Sequence, residues 1–340
     1  MENKYSVAFF VLGVVAGLMA TSERRFLKTR QFWLGGLAAG LIFLPNLIWL
    51  IRHDFPFLRI MRNVHTYGGV TWFADPLAFM QSQIIVLNPV LLPLWVGGLT
   101  WLLFSRDGSR YRTLGFAYLV MLVMFIVLGG REYYLAPAYP MLFAAGAVSF
   151  ERLARDRWAW ARPAYVTATL MAGVLAALLA APLLPVHTYI RLTHRAAIPG
   201  RDPVGGPLPQ YFADEFGWED MTREVARAYN SLPPPQRSVT AILADNYGEA
   251  AALDFFGPKY GLPKAICPHQ SYWMWGPRNY SGDSILMLGN DFDETLFRSV
   301  KLAGHVSNPY SRPQEQFDLF ICRGLKTPLR ELWPEMKHWS

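Results

Sequence analysis

Apolar residues fall into long blocks through the first 185 positions and into short runs after that. Six blocks approach the roughly 20 residues that a helix needs to cross a bilayer: 5–21, 32–51, 84–104, 114–130, 133–150 and 164–185. None of them carries a charge in its interior. The third holds Asn88, Pro89 and Pro93, which predicts a kinked helix packed against protein, because the carbonyls freed by proline need other partners in lipid. From 186 onward the pattern changes. Pro, Gly and polar residues over 196–210 predict an irregular linker. Met221, Val225, Ala228 and Tyr229 recur at helical spacing and predict an amphipathic helix over 218–231. Short runs at 238–244, 284–289 and 317–323 read as strands, with a helix at 249–256 between the first two. The expected fold class is therefore an α-helical polytopic membrane domain with six spans (1–185), a linker and amphipathic helix (186–235), and a small α/β domain (236–340).

Charge gives this pattern an orientation. Through residue 185 there are 16 Lys and Arg against 8 Asp and Glu, and beyond it 16 against 17. The excess thus lies in the apolar half, which points to membrane topology and away from nucleic acid, despite the overall net charge of +7. Three short loops hold eleven basic residues: Arg24, Arg25, Lys28 and Arg30; Arg106, Arg110 and Arg112; Arg152, Arg155, Arg157 and Arg162. The alternate loops, 52–83 and 131–132, hold four. The positive-inside rule places the first set in the cytoplasm. The 52–83 loop, the Arg131-Glu132 turn and the tail then face the periplasm of a bacterium. This topology also puts the amino terminus outside, with four residues before the first span, and so predicts further helices upstream.

Several chemistries find no support. Two cysteines in 340 residues exclude a disulfide scaffold and a zinc module, although Cys267 and Cys322 lie in the outward domain, where a disulfide is permitted. There is no G-x-S-x-G, H-E-x-x-H, P-loop or strand-linked G-x-G-x-x-G. The seven histidines are scattered, so neither a metal nor a cofactor is expected.

Three places carry candidate chemistry, each with a plainer reading beside it. In the loop after the second block, apolar Phe55, Leu58, Ile60, Met61 and Val64 alternate with Arg52, Arg59, Arg62, His53 and His65. Such a helix lies at the interface, either as an anion site or simply touching headgroups. Arg131 beside Tyr133 and Tyr134 suits a phosphate cradle, or a pair of interfacial tyrosine anchors. In the tail, Asp245, Asn246 and Glu249 sit where a strand leads into a helix, a common ligand position and also an ordinary helix cap. His269 and Trp273 lie in an aromatic stretch suited to sugar stacking or to a structural plug.

Taken in order, several short motifs resemble one family. They are Asn3-Lys4-Tyr5-Ser6; Asp54-Phe55-Pro56 with Arg62-Asn63; Gln83 through Asn88-Pro89 to Pro93-Leu94-Trp95; Arg131-x-x-Tyr134-x-x-Pro137-x-Tyr139-Pro140; Asn246-Tyr247-Gly248-Glu249-Ala250; and Phe256-Gly257-Pro258 with Tyr260-Gly261-Leu262-Pro263. Together they look like the bacterial membrane glycosyltransferases of the aminoarabinose transferase and protein mannosyltransferase type, with the GT-C fold. The resemblance implies transfer of a sugar from a polyprenyl-phosphate donor to a lipid, glycan or protein acceptor, at the periplasmic face of the inner membrane. It implies that Tyr134, in the Y-x-x-P motif, and Arg131, where the family commonly has lysine, hold the donor phosphate. Arg52, Arg59 and Arg62 take the same role by extension. Asp245, Asn246, Glu249, His269 and Trp273 are candidate acceptor contacts. The family's catalytic Asp, in a first outward loop, has no counterpart here: Asp54 and Glu132 do not match that motif, Asp54 being expected to start the interfacial helix and Glu132 to pair with an arginine. The expectation is thus a carboxy-terminal portion without its base, or a non-catalytic relative whose outward domain binds a glycan or protein.

Overall fold

The computed structural model describes residues 6–67, 74–154, 158–181, 183–196 and 206–339. The chain divides into two compact units, Met1–Leu183 and Leu184–Ser340.

The first unit is helical. It contains α1 (Ser6–Met19), α2 (Arg30–Arg52), α3 (Pro56–Tyr67), α4 (Pro76–Val86), α5 (Leu92–Phe104), α6 (Arg112–Val127), α7 (Tyr139–Leu153) and α8 (Ala161–Ala180). Three stretches are long and apolar enough to cross a membrane: α2, Asp107–Val127 including α6, and α8. The number rises to five if each of two bent pairs forms one span. The first pair is α1, whose 14 residues are short of a bilayer's thickness, with the 3-10 turn Ser22–Lys28, bent by 115°. The second joins α4 to the Pro89–Phe104 helix at 102°.

That second break is sharper than the kink expected from Pro89. Asn88 takes a left-handed φ of 77° and its side chain accepts from the Val90 N–H, so the chain turns a corner there. The fifth apolar block is shortened from its start, because Glu132–Ala138 forms a 3-10 turn and α7 begins only at Tyr139. α3 is the helix that the 52–83 loop predicts, and α4 adds a second one in its later part.

Packing in this unit depends on close backbone approach. A Cβ on Gly98 would collide with the Leu142 carbonyl, and one on Gly146 with the Leu94 carbonyl, so α5 and α7 meet backbone to backbone. Around that contact Trp95, Leu102, Tyr118, Leu135, Tyr139 and Leu142 are fully enclosed. α2 and α8, by contrast, expose apolar side chains on nearly every face, among them Leu37, Leu41, Ile42, Leu170 and Val174. An apolar surface of that extent requires lipid or protein cover.

The second unit begins with α9 (Val186–Ala196), an amphipathic helix that the composition did not predict; most of the expected linker, 197–205, lies outside the described residues. After α10 (Gln210–Ala213) comes α11 (Trp218–Asn230), whose Met221, Val225, Ala228 and Tyr229 are buried as their spacing predicts. α12 (Pro234–Arg237) leads into β1 (Thr240–Leu243), then α13 (Tyr247–Phe256), α14 (Gln270–Met274), β2 (Ser284–Leu288), β3 (Phe297–Val306), β4 (Phe317–Leu325) and α15 (Leu329–Leu332). The sheet order is β1-β2-β4-β3, with β1 and β2 parallel and the other pairings antiparallel. Both faces of β1 and β2 are buried, which accounts for their unbroken apolar runs. Cys267 and Cys322 are both free and buried, in separate core clusters.

Candidate functional site

The first candidate, in the helical unit, is the turn between α6 and α7. Gly129, at a φ of 59°, and Gly130 close α6, and the Gly130 N–H reaches back to the Phe125 carbonyl at 2.7 Å. Arg131 then precedes the 3-10 turn Glu132–Ala138. The turn is held from α4. Gln83, 2% exposed, donates through Nε2 to the Glu132 carbonyl at 2.9 Å and accepts at Oε1 from the Tyr139 hydroxyl at 2.9 Å. The Tyr118 hydroxyl lies 3.4 Å from that of Tyr139. A buried primary amide is expensive unless both its ends are satisfied, and here both are. Tyr134 sits half-buried between Phe125 and Tyr133, with ring centroids 5.6 and 4.8 Å away. Arg131 is exposed and has no ion pair among the described residues.

The three further arginines stand apart from this turn. Arg59 pairs with Asp54 at 3.0 Å. Arg52 ends α2, and Arg62 is exposed on α3. Among the described residues no hydrogen bond or ion pair joins any of them to Arg131 or Tyr134. Glu132 does not pair with an arginine among the described residues; its carbonyl serves Gln83 instead.

The second candidate lies in the α/β unit, at the carboxyl ends of the parallel strands. Asn246 caps α13, its Oδ1 accepting from the Glu249 N–H at 3.0 Å. Glu249 reaches back, accepting from the Asp245 N–H at 2.9 Å and from Asn246 Nδ2 at 2.8 Å. The cap thus uses Asn246 and Glu249, and leaves the Asp245 carboxylate open to solvent. A cavity of about 680 Å³ opens beside them, lined in part by Asp245, Glu249, Asn290, Asp291, Glu335 and His338. Burial pushes the Glu249 carboxyl up to about 8, helped by the nearby negative charge of Glu315 and Asp245.

Of the five candidate contacts in the tail, only Asp245 and Glu249 line this cavity. Asn246 is occupied in the cap. His269 is buried with its ring stacked on His338, centroids 4.6 Å apart. Trp273 is tied to Trp333: its Nε1 donates to the Trp333 carbonyl at 2.8 Å and Trp333 returns the bond at 2.9 Å. Burial raises both cysteine thiols to about 12, which disfavours the thiolate form. Among the described residues no cluster of three or more His, Cys, Asp or Glu could hold a metal.

Sequence reasoning missed Asn290 and Asp291, although the signal was there. They follow the run at 284–289 as Asp245 follows the run at 238–244, each at the end of a strand. Glu335 and His338 arrive from the far end of the chain, where no pattern marks them.

No family model, curated protein or solved structure matches this chain.

Proposed function

We propose that the chain supplies the donor-binding site of an inner-membrane glycosyltransferase that takes a sugar from a polyprenyl-phosphate carrier at the periplasmic face and passes it to a lipid, glycan or protein acceptor. In such a reaction the bond between the sugar's anomeric carbon and the phosphate oxygen breaks. A bond to the acceptor oxygen or nitrogen forms, and the acceptor's proton leaves to a base. The negative charge accumulates on the departing lipid phosphate, so a fixed cation and hydroxyl donors beside it lower the barrier.

The observation that carries this reading is Arg131: a guanidinium with no ion pair among the described residues, next to a tyrosine pair, on a turn held by Gln83 from α4. A guanidinium offers paired N–H groups to two phosphate oxygens at once. The motif resemblance supplies the reaction class. The role of base is assigned to no residue of this chain. A second reading, an outward domain that binds a ligand and takes no part in transfer, is favoured by the cavity at the ends of β1 and β2.

Binding of a polyprenyl phosphate to the protein in lipid nanodiscs tests the first reading, with the uncharged polyprenol as reference. Arg131→Ala is expected to weaken binding about 10- to 100-fold, the loss of one or two hydrogen bonds to a charged group. Tyr134→Phe is expected to weaken it about 3- to 10-fold. Unchanged affinity in both variants, or equal affinity for the polyprenol, would remove the phosphate site.

A further inference from the structure

We propose that the cavity at the carboxyl ends of β1 and β2 binds a compact organic cation, an ammonium group joined to an apolar body. This uses no residue of the Arg131 turn, and it stands or falls separately from the transferase reading.

The position comes first. Open α/β sheets bind ligands outside the carboxyl ends of their strands. The parallel pair here delivers Asp245 from one strand end and Asn290 and Asp291 from the other. Size comes next: about 680 Å³ falls within the range typical of small-molecule sites. The lining divides into two kinds of surface. Met287, Phe297, Leu329 and Met336 form an apolar part, and the exposed residues Asp245, Asp291 and Glu335 an acidic one.

The charge of the lining selects among ligands. Four acidic residues line the cavity, Asp245, Glu249, Asp291 and Glu335. Glu249 is buried in the α13 cap with its carboxyl held largely neutral, so the charge of the lining rests on the other three. No Lys or Arg lies among the described residues that line it. None of the four has an ion pair among the described residues. Elsewhere in the same unit carboxylates find cations readily: Asp214 with Arg312, Glu219 with Lys259, Glu224 with Arg227, Asp254 with Lys264. Among the described residues His338 is thus the one basic side chain in a lining that is otherwise acidic, amide-bearing and apolar. An anionic ligand would be repelled, and a neutral one would leave the field uncompensated. An ammonium group donates up to three charge-assisted hydrogen bonds to the acidic part while its apolar body displaces water from Met287, Phe297 and Met336.

The test uses the full chain in nanodiscs with methyl-labelled methionines, the Met287 and Met336 signals being assigned through Met287→Leu and Met336→Leu. The probes are three molecules of similar shape: 2-phenylethylammonium, 2-phenylethanol and 3-phenylpropanoate. The ammonium is expected to shift the Met287 and Met336 signals, the alcohol to bind at least tenfold more weakly, and the carboxylate not to bind. The double variant Asp291→Asn, Glu335→Gln should lose tenfold or more in ammonium affinity, with its ligand-free Met287 and Met336 signals unmoved, which shows that it is folded. Binding of the alcohol as tight as that of the ammonium, unchanged affinity in the folded double variant, or an ammonium titration that moves neither methionine would overturn the proposal.

Discussion

Glu249 is a carboxylic acid in a place that disfavours its charge. It is 2% exposed, and its neighbours Asp245 and Glu315 are also acidic. Three hydrogen bonds of the α13 cap hold it there, two accepted by its carboxyl and one donated by its backbone N–H. Its group is raised from an ordinary 4.5 to about 8, so the folded protein holds this proton more tightly than the unfolded chain does. The linked stability is fully present below about pH 4.5 and is lost as pH rises through 8. Glu249→Gln removes that dependence. Between pH 5 and pH 8 the thermal midpoint of the wild type should therefore fall relative to that of the variant, as followed by tryptophan fluorescence. Parallel pH profiles would show that Glu249 titrates normally. Glu315, also raised by burial, is present in both proteins and contributes a pH dependence to each profile. The position of this residue was legible in the sequence: Asn246 followed three residues later by Glu249 is a capping pattern, and the strand before it is apolar throughout. Its burial was not legible, because the groups that enclose it come from distant parts of the chain.

At the scale of elements, the corner at Asn88 matters most to the donor site. It lets α4 run from Pro76 as a separate helix, and α4 carries Gln83 to the turn before α7. A straight or gently kinked span through 84–104 would not present Gln83 in this way. Replacing it tests the arrangement. Gln83→Leu leaves the Glu132 carbonyl without its donor and the Tyr139 hydroxyl with only Tyr118 beside it. The expected cost is about 1–3 kcal/mol for an orphaned buried group, measured by detergent-titrated unfolding. The same variant should also weaken polyprenyl-phosphate binding, since the Arg131 turn loses its support. A variant as stable as wild type would show that the turn is held by packing alone. The presence of a break was readable from Pro89, whereas its angle was not, since that is set by the backbone of Asn88. β3 was missed for a different reason. It is an edge strand, and Arg298, Lys301 and His305 interrupt the apolar pattern that marks buried strands.

The whole molecule combines a helical unit with enough apolar length for three to five membrane spans and an α/β unit with a mixed four-stranded sheet. Helices such as α2 and α8 were readable because an unbroken apolar run over 20 or more residues has few other uses. The short and bent elements were not, because their lengths depend on corners that hydropathy does not register. Orientation rests on the arginine-rich loops, and the proposed reaction requires that the Arg131 turn and the α/β unit both meet the outside. Single cysteines can test this without interference, since Cys267 and Cys322 are fully buried. The measurement is labelling of Ala136→Cys, Ser299→Cys and Ser109→Cys, three exposed positions, with a membrane-impermeant thiol reagent in spheroplasts. The account predicts labelling at 136 and 299 in intact spheroplasts, and at 109 only after the membrane is opened. Labelling of 109 from outside, or of 136 and 299 only after lysis, would contradict an outward-facing transferase.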